Sequence, residues 1–434
     1  MVQICKFIGL PIITLFALTF CFTGCNNVGG IDCPRCQKPQ ARSIESPHKI
    51  EKPVVNVYME NSGSMFGYVN GLTEFEESVY SYLSDIRLNC TDSMSLFYIN
   101  SKIIPQQQNL NQTSRIKDFI KRLSPSHFIQ AGGSLGVTDI SDMMAAILDK
   151  TDDNTVSVFI SDCIFSPGRG VDADAYLVNQ QIGVKVAFAD KLKIDKEFCV
   201  KAYRLNGKFK GKYYNRLDQP TLIDDIRPFY ILLMGRESLV NNITDKVTKD
   251  KIKGRGVECS FAISNLPHQI KYEIVNAPKI GTFRRCMKNP KHHLVNASKA
   301  DKGKNQGNFM FSVGADFSNI PVDDDYLSDA NNYTLSYKDY ELSLTNSKDE
   351  KYTHRLCFTL KPQVIRPGKC NLNIVLKKQL PLWVNQYTDN EGLNINQKGA
   401  MQQTYGLKYL FEGIYEAFTN NEKMNFAEMK ILIN

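Results

Sequence analysis

Short apolar runs alternate with segments of helical spacing between residues 53 and 250. The apolar runs are typical of strands buried on both faces, and the spacing between them is typical of amphipathic helices. The predicted strands are 54–59, 94–99, 155–160 and 229–234, and the predicted helices are 73–88, 113–123, 138–148, 172–193 and 236–248. This alternation predicts an α/β domain with a doubly wound, mostly parallel sheet, covered on both faces.

Asn206-Gly207 lies within the β-type segment 198–214. Asn-Gly is a strong signal for a tight hairpin turn, because both residues tolerate a positive φ. We therefore expect 198–214 to be a hairpin that turns at Asn206-Gly207.

The pattern changes after about residue 255. Strand-like segments recur at 258–263, 309–313, 333–344, 354–360 and 371–376, and Asn-, Asp- and Lys-rich turns separate them. Helical spacing is absent there, which predicts a β-rich domain over 255–398, with a sandwich favoured. An amphipathic segment at 405–418 predicts a C-terminal helix within a final region, 399–434.

The N-terminus has the features of an export signal. An apolar run, 7–22, follows Lys6, and small residues precede Cys25. The ending Phe22-Thr23-Gly24-Cys25 resembles the bacterial lipobox, which implies cleavage after residue 24 and lipid on Cys25. An uncleaved anchor helix is the alternative, but the run is short for spanning a bilayer. We therefore expect a signal peptide at 1–24 and a flexible tether at 25–52.

The resemblance also implies a location, which is the bacterial cell envelope, with the chain anchored to a membrane through lipid. The residues after Cys25 lack an acidic cluster, so a periplasmic orientation is favoured and surface exposure stays open. Cys33 and Cys36 have the spacing of a redox or zinc pair, but no strand, helix or second pair accompanies them. A local disulfide or free thiols in the tether is the preferred interpretation.

The charge of the chain adds little to this picture. The formal net charge of +8 arises from 53 basic and 45 acidic residues. These are dispersed along the chain, which favours solvated basic faces over a nucleic-acid groove. We expect no nucleic-acid partner.

Oxygen-bearing side chains follow the predicted strands. Glu60, Ser62 and Ser64 come after the first strand, Thr138 opens a predicted helix, and Asp162 follows the strand 155–160. The carboxyl ends of strands in an open α/β sheet share one crevice, so these groups are expected to converge. Hard oxygen ligands suit Mg²⁺, Mn²⁺ or Ca²⁺.

This set resembles the metal-ion-dependent adhesion site of the von Willebrand factor A domain. Ser62 and Ser64 match the two serines of its Asp-x-Ser-x-Ser loop, Thr138 the threonine and Asp162 the later aspartate. The resemblance covers residues 53–250 and implies a domain that binds a protein or glycan partner, with an acidic group of the partner completing the ion's shell. Glu60 departs from the family, which has Asp there, so the fold is better supported than the metal.

Two alternatives remain. In the first alternative, the loop after the first strand is a structural turn, and the chain is a metal-free scaffold of an envelope complex. In the second, Gly132-Gly133-Ser134-Leu135-Gly136 fits the nucleophile-elbow pattern, with Ser134 as the nucleophile of a hydrolase. An elbow needs a buried strand just before the serine, and 124–130 is a poor strand. A binding protein without catalytic residues is therefore preferred.

Overall fold

The computed structural model describes residues 52–136, 139–419 and 424–434. The predicted signal peptide, lipidated Cys25, the Cys33–Cys36 pair and nearly all of the tether lie outside these residues. The first half of the described chain contains β1 (Val54–Glu60), α1 (Glu74–Asn89), β2 (Ser93–Ile99), β3 (Ile103–Pro105), α2 (Thr113–Arg122), α3 (Pro125–Ala131), α4 (Ile140–Asp149), β4 (Thr155–Ser161), α5 (Ala173–Ile194), β5 (Phe198–Tyr214), β6 (Pro220–Arg236), α6 (Glu237–Lys246) and β7 (Val257–Ser264).

The second half continues with smaller elements. These are β8 (Lys271–Ile280), β9 (Thr282–Arg285), β10 (His293–Ser298), β11 (Met310–Asp316), α7 (Asp324–Ser328), β12 (Tyr333–Leu335), β13 (Tyr340–Asn346), β14 (His354–Leu360), β15 (Cys370–Lys377), α8 (Leu382–Gln386), β16 (Thr388–Asp389), β17 (Thr404–Tyr405), α9 (Leu407–Thr419) and β18 (Asn425–Ile433). No helix within the described ranges is both long and apolar enough to cross a bilayer.

The large sheet has the order β3-β2-β1-β4-β6-β5-β7. β1 is parallel to both β2 and β4, whereas the pairs β2–β3, β4–β6, β6–β5 and β5–β7 are antiparallel. The α/β class is confirmed, but the prediction of a mostly parallel sheet is wrong. Only a short turn, residues 215–219, joins β5 to β6, and parallel strands need a crossover of about a dozen residues or more.

The predicted hairpin at Asn206-Gly207 is also wrong, because both residues lie inside the continuous strand β5, opposite Pro228 and Arg227. A Cβ on Gly207 would lie 3.1 Å from the backbone nitrogen of Phe75. The glycine therefore permits α1 to approach the sheet closely, a common role of glycine within a strand.

Helices cover both faces of this sheet. On one face, α1 buries Phe75, Val79 and Leu83 against the β1 residues Val55 and Val57. Ile140, Met144 and Ile147 of α4 pack on the opposite face, together with α5 and α9. Thr73 caps α1 by accepting the N–H of Glu76, and Asp172 caps α5 by accepting the N–H groups of Asp174 and Ala175.

The connections leave β1 in opposite directions. The chain passes from β1 through α1 to β2 on one side, and α4 returns it to β4 on the other side of β1. The carboxyl ends of β1 and β4 are therefore the point at which the winding reverses. In open α/β sheets, ligands bind in the crevice that forms at such a point.

Two further sheets pack together in the second half. Their orders are β12-β15-β18-β10-β9 and β13-β14-β11-β8, and apolar side chains of both form one cluster. The predicted strand 333–344 is wrong as a single strand, because it is divided between β12 and β13, which belong to different sheets. The segment 271–298 contains β8, β9 and β10, which the sequence pattern did not predict. β7 and β18 also differ from expectation. β7 (predicted as 258–263) belongs to the large sheet, and β18 lies inside the five-stranded sheet, in a tail to which the sequence assigned no strand. The C-terminal helix α9 packs against α5 of the α/β part.

Candidate functional site

The two predicted serines lie together just beyond β1. The Ser62 and Ser64 hydroxyl oxygens are 2.8 Å apart, at the start of the 3₁₀ helix Gly63–Val69. The N–H of Gly63 donates to the carbonyl of Leu135 at 2.9 Å, which ties this loop to the segment before α4. Two hydroxyls are thus presented side by side at the edge of the crevice.

Asp162 follows β4 and is fully buried. Its Oδ1 accepts the N–H of Ile164 at 3.2 Å, and its Oδ2 is also buried. Burial raises the pKa of Asp162, and the Ile164 N–H, the charge of Arg227 and the Ser64 hydroxyl oppose that shift. The structure therefore brings Ser64 and Asp162 together, as the sequence predicted.

Glu60 lies behind the serines, at the end of β1. It is 1% exposed, and the hydroxyl of Ser161, at the end of β4, donates to its Oε2. The same hydroxyl accepts the N–H of Cys163 at 2.7 Å. The carboxylate thus holds two neighbouring strand ends together.

Thr138, the remaining predicted ligand, lies outside the described residues. Helix α4 begins two residues later, at Ile140, where Asp139 accepts the N–H of Asp142 at 3.2 Å. Gly136, two residues before Thr138, lines the same cavity as the serines.

A cavity of about 340 Å³ opens above the serines. Its floor includes Ser62 and Ser64, and its walls include Phe66, Ile164 and Ser166. Small-molecule sites commonly measure about 300–1,000 Å³ and combine apolar walls with a few convergent polar groups. This cavity matches that description.

One wall of the cavity was not predicted from the sequence. Tyr214, at the end of β5, and Arg216 and Asp218, in the turn between β5 and β6, line the cavity together with the serines. β5 can approach this closely because Gly67 faces the ring of Phe209. The sequence signal was the polar segment 215–219, which the misplaced hairpin turn concealed.

A buried cation also escaped prediction. Arg227 of β6 is 1% exposed, and its guanidinium contacts the carbonyls of Met401 and Gln403 and the ring of Tyr213. Its charge opposes the rise that burial causes in the pKa of Asp162. The site therefore contains a fixed positive charge close to its carboxylate.

The donor set is rich in hydroxyls and poor in carboxylates. Over the described ranges, no three His, Cys, Asp or Glu side chains converge as metal ligands usually do. Ser62, Ser64 and the buried carboxylate of Asp162 nevertheless fit a hard cation that keeps open positions. Glu60 fits better as the residue that positions these groups, since Ser161 engages its carboxylate.

Ser134, the nucleophile of the alternative hydrolase, lies in an exposed loop. Helix α3 precedes this loop, and the Ser134 N–H donates to the Ser101 hydroxyl at 3.1 Å. A nucleophile elbow requires a strand immediately before the serine. The local geometry at Ser134 is therefore different from an elbow.

No protein-family model matches the chain, and neither do any of the curated proteins or solved structures with which it was compared.

Proposed function

We propose that the crevice at the carboxyl ends of β1 and β4 is the ligand site of a binding protein. The observation that carries the proposal is the pair of hydroxyls, Ser62 and Ser64, which are 2.8 Å apart and line the floor of a cavity, with the buried Asp162 close to Ser64. Its location at the reversal of the sheet winding supports the proposal. So does the resemblance of these residues to the adhesion site of the von Willebrand factor A domain.

A divalent cation, Mg²⁺, Mn²⁺ or Ca²⁺, belongs to this proposal. Ser62, Ser64 and Asp162 would hold it, and such a cation supplies open positions for an acidic group of the ligand. Glu60 positions the end of β1 through Ser161 and leaves the hydroxyls to face the cavity. The chain's own part is to hold these oxygens in place between apolar walls.

The proposal extends to the location of the protein. The lipobox-like ending at Cys25 supports export and anchoring by lipid in a bacterial cell envelope, with a protein or glycan as the partner. Labelling with a radioactive fatty acid tests the anchor, because Cys25→Ser should abolish incorporation. Incorporation that survives this substitution would refute it.

Titration of the purified chain with Mg²⁺, Mn²⁺ and Ca²⁺ tests the cation site. We expect at least one ion to bind, EDTA to reverse it, and Ser64→Ala to weaken it about tenfold or more, the loss of one direct ligand. Ser166→Ala is the matched control, because Ser166 lines the same cavity but is not one of the three proposed ligands. Equal binding by the chain and Ser64→Ala would refute the site.

The metal-free scaffold is the second candidate, because the loop after β1 partly satisfies its own polar groups. Asn61 donates to the carbonyls of Phe128 and Gly132, and the two serines bond to each other. On this alternative, no ion binds, and Ser64→Ala lowers the free energy of unfolding without affecting partner binding.

The hydrolase has its own test. If the chain were a hydrolase centred on Ser134, a serine-reactive probe would label the unmodified chain but would not label Ser134→Ala.

A further inference from the structure

The cavity above the serines has an unbalanced charge. Arg216 and Asp218 are the charged side chains on its walls, and both come from the turn between β5 and β6. Asp218 is paired with Arg169 at 3.2 Å, outside the cavity. Within the described part of the chain, no carboxylate lies within 4.0 Å of the Arg216 guanidinium to pair with it. The cavity therefore contains one positive charge without an internal counter-ion.

The turn that carries Arg216 is fixed in place. Oδ1 of Asn215 accepts the N–H groups of Leu217 and Gln219 at 3.0 and 2.9 Å, which closes the turn on itself. The backbone N–H of Arg216 donates to the carbonyl of Gly392 at 2.8 Å. The segment before α9 thus holds the turn, and the backbone of Arg216 is positioned before any ligand arrives, which lowers the entropic cost of binding.

The surroundings of Arg216 strengthen an ion pair. Phe66, Ile164 and Tyr214 line the same cavity, so water is partly excluded from the space between arginine and serines. Opposite charges attract more strongly where the effective dielectric constant is lower. The Tyr405 hydroxyl lies close to the guanidinium. Burial raises the pKa of Tyr405, and the nearby charge of Arg216 opposes that rise.

We infer that Arg216 binds a carboxylate of the ligand of this cavity and is its specificity-determining residue. A guanidinium matches a carboxylate with two parallel hydrogen bonds, and one unpaired positive charge balances one carboxylate. The inference rests on the proposed function only in that this crevice is the ligand site. It holds with or without a cation at the serines.

Glutarate, with glutaramide as its uncharged isostere, is the probe. NMR titration of the chain should show glutarate, but not glutaramide, shifting signals of the cavity walls. Arg216→Gln should weaken glutarate binding about tenfold or more, the loss of one charge-assisted pair. Arg216→Lys keeps the charge but loses the planar fork, so its affinity for glutarate should lie between those of the unmodified chain and Arg216→Gln. Arg366→Gln is the matched control, because it removes an exposed arginine outside the cavity.

Equal glutarate affinity in Arg216→Gln and the unmodified chain would overturn the inference, as would equal binding of glutaramide. Inorganic phosphate that binds more tightly than glutarate would also overturn it and assign the arginine to phosphate. The ion titration separates the two proposals. Normal ion binding with glutarate binding independent of Arg216 refutes only the inference, whereas Arg216-dependent binding without an ion refutes only the cation site.

Discussion

The Ser161 hydroxyl donates a hydrogen bond to the Glu60 carboxylate and joins the ends of β4 and β1 behind the cavity. Both side chains are buried. The strands that carry the serines and Asp162 are thus held together by side chains as well as by their backbone ladder. A glutamate reaches Ser161 from its position at the end of β1, and this contact gives Glu60 a structural role.

Glu60→Ala tests this contact. The substitution removes the acceptor of a buried hydroxyl, so the free energy of unfolding should fall by about 1–3 kcal/mol. Glu60→Gln should cost less, because its amide oxygen can still accept from Ser161. Urea denaturation measures both, and exposed Glu350→Ala is the control, expected within about 0.5 kcal/mol of the unmodified chain. Equal stabilities of Glu60→Ala and Glu350→Ala would contradict the assigned role.

Glu76 gives the fold a pH dependence. Burial raises the pKa of this α1 residue from 4.5 to about 7, whereas in the unfolded chain the carboxyl ionises at its ordinary pKa. The unfolded state therefore loses this proton first as the pH rises. The Glu76 contribution to the free energy of unfolding should fall between pH 4.5 and about 7.

Urea denaturation of the chain and of Glu76→Gln across that pH range measures this contribution. The glutamine stays neutral, so the difference in stability between the two proteins should change through the window and level off on both sides. Exposed Glu77→Gln, one residue along the same helix, is the control and should follow the unmodified chain. A difference that stays constant with pH would exclude Glu76 as the titrating group.

The sequence predicted the central strands well. The predicted 54–59, 94–99 and 155–160 each lie within one residue of β1, β2 and β4, because buried parallel strands are continuous apolar runs with clear ends. The outer strands were harder to assign. Asn206-Gly207 carries a turn signal, but tertiary packing against α1 decides its conformation, and a long antiparallel hairpin replaces a short one.

The residues of the candidate site show the same contrast between central and outer strands. Ser62, Ser64 and Asp162 were predictable because each directly follows a central strand, so their proximity depends only on strand order. Arg216 and Arg227 were not, since each reaches the site through the long strands β5 and β6. No local pattern in the sequence reports where the far end of a 17-residue strand lies.

Asp323 links the large sheet to the β-rich part. It lies 2.8 Å from the ammonium of Lys249 and 3.6 Å from that of Lys201, and Ser260 also donates to it. Burial raises the pKa of Asp323, but the two lysine charges and the Ser260 hydroxyl together bring it below its ordinary value. The stability that this carboxylate contributes is present above the ordinary pKa and should be lost as the pH falls through the lowered one.

Asp323→Asn should lower the free energy of unfolding by about 3 kcal/mol, because it leaves the largely buried Lys201 without its carboxylate. Asp325→Asn, at a side chain 98% exposed, is the control and should change stability by less than about 1 kcal/mol. Guanidinium denaturation measures both near neutral pH. The two variants should become more nearly equal in acid, and a gap that widens there would contradict the assigned sign.

The close approach of β5 to the loop that carries Ser62 and Ser64, here called the serine loop, depends on Gly67. A Cβ at this position would clash with the ring of Phe209, so Gly67→Ala must displace either the ring or the 3₁₀ helix that contains Ser64. Overpacking of this kind costs about 1–3 kcal/mol. Gly368→Ala, where nothing lies within 4 Å of the added Cβ, is the control and should be nearly neutral.

A second substitution shows which group moves. Phe209→Leu removes part of the ring, so the double variant Gly67→Ala/Phe209→Leu should be more stable than the sum of the two single effects predicts. If the clash displaces the serine loop, Gly67→Ala alone should also weaken ion binding, and the double variant should recover part of that loss. Additive effects on stability would show that Gly67 and Phe209 are not in contact, and the approach of β5 to the loop would then need another cause.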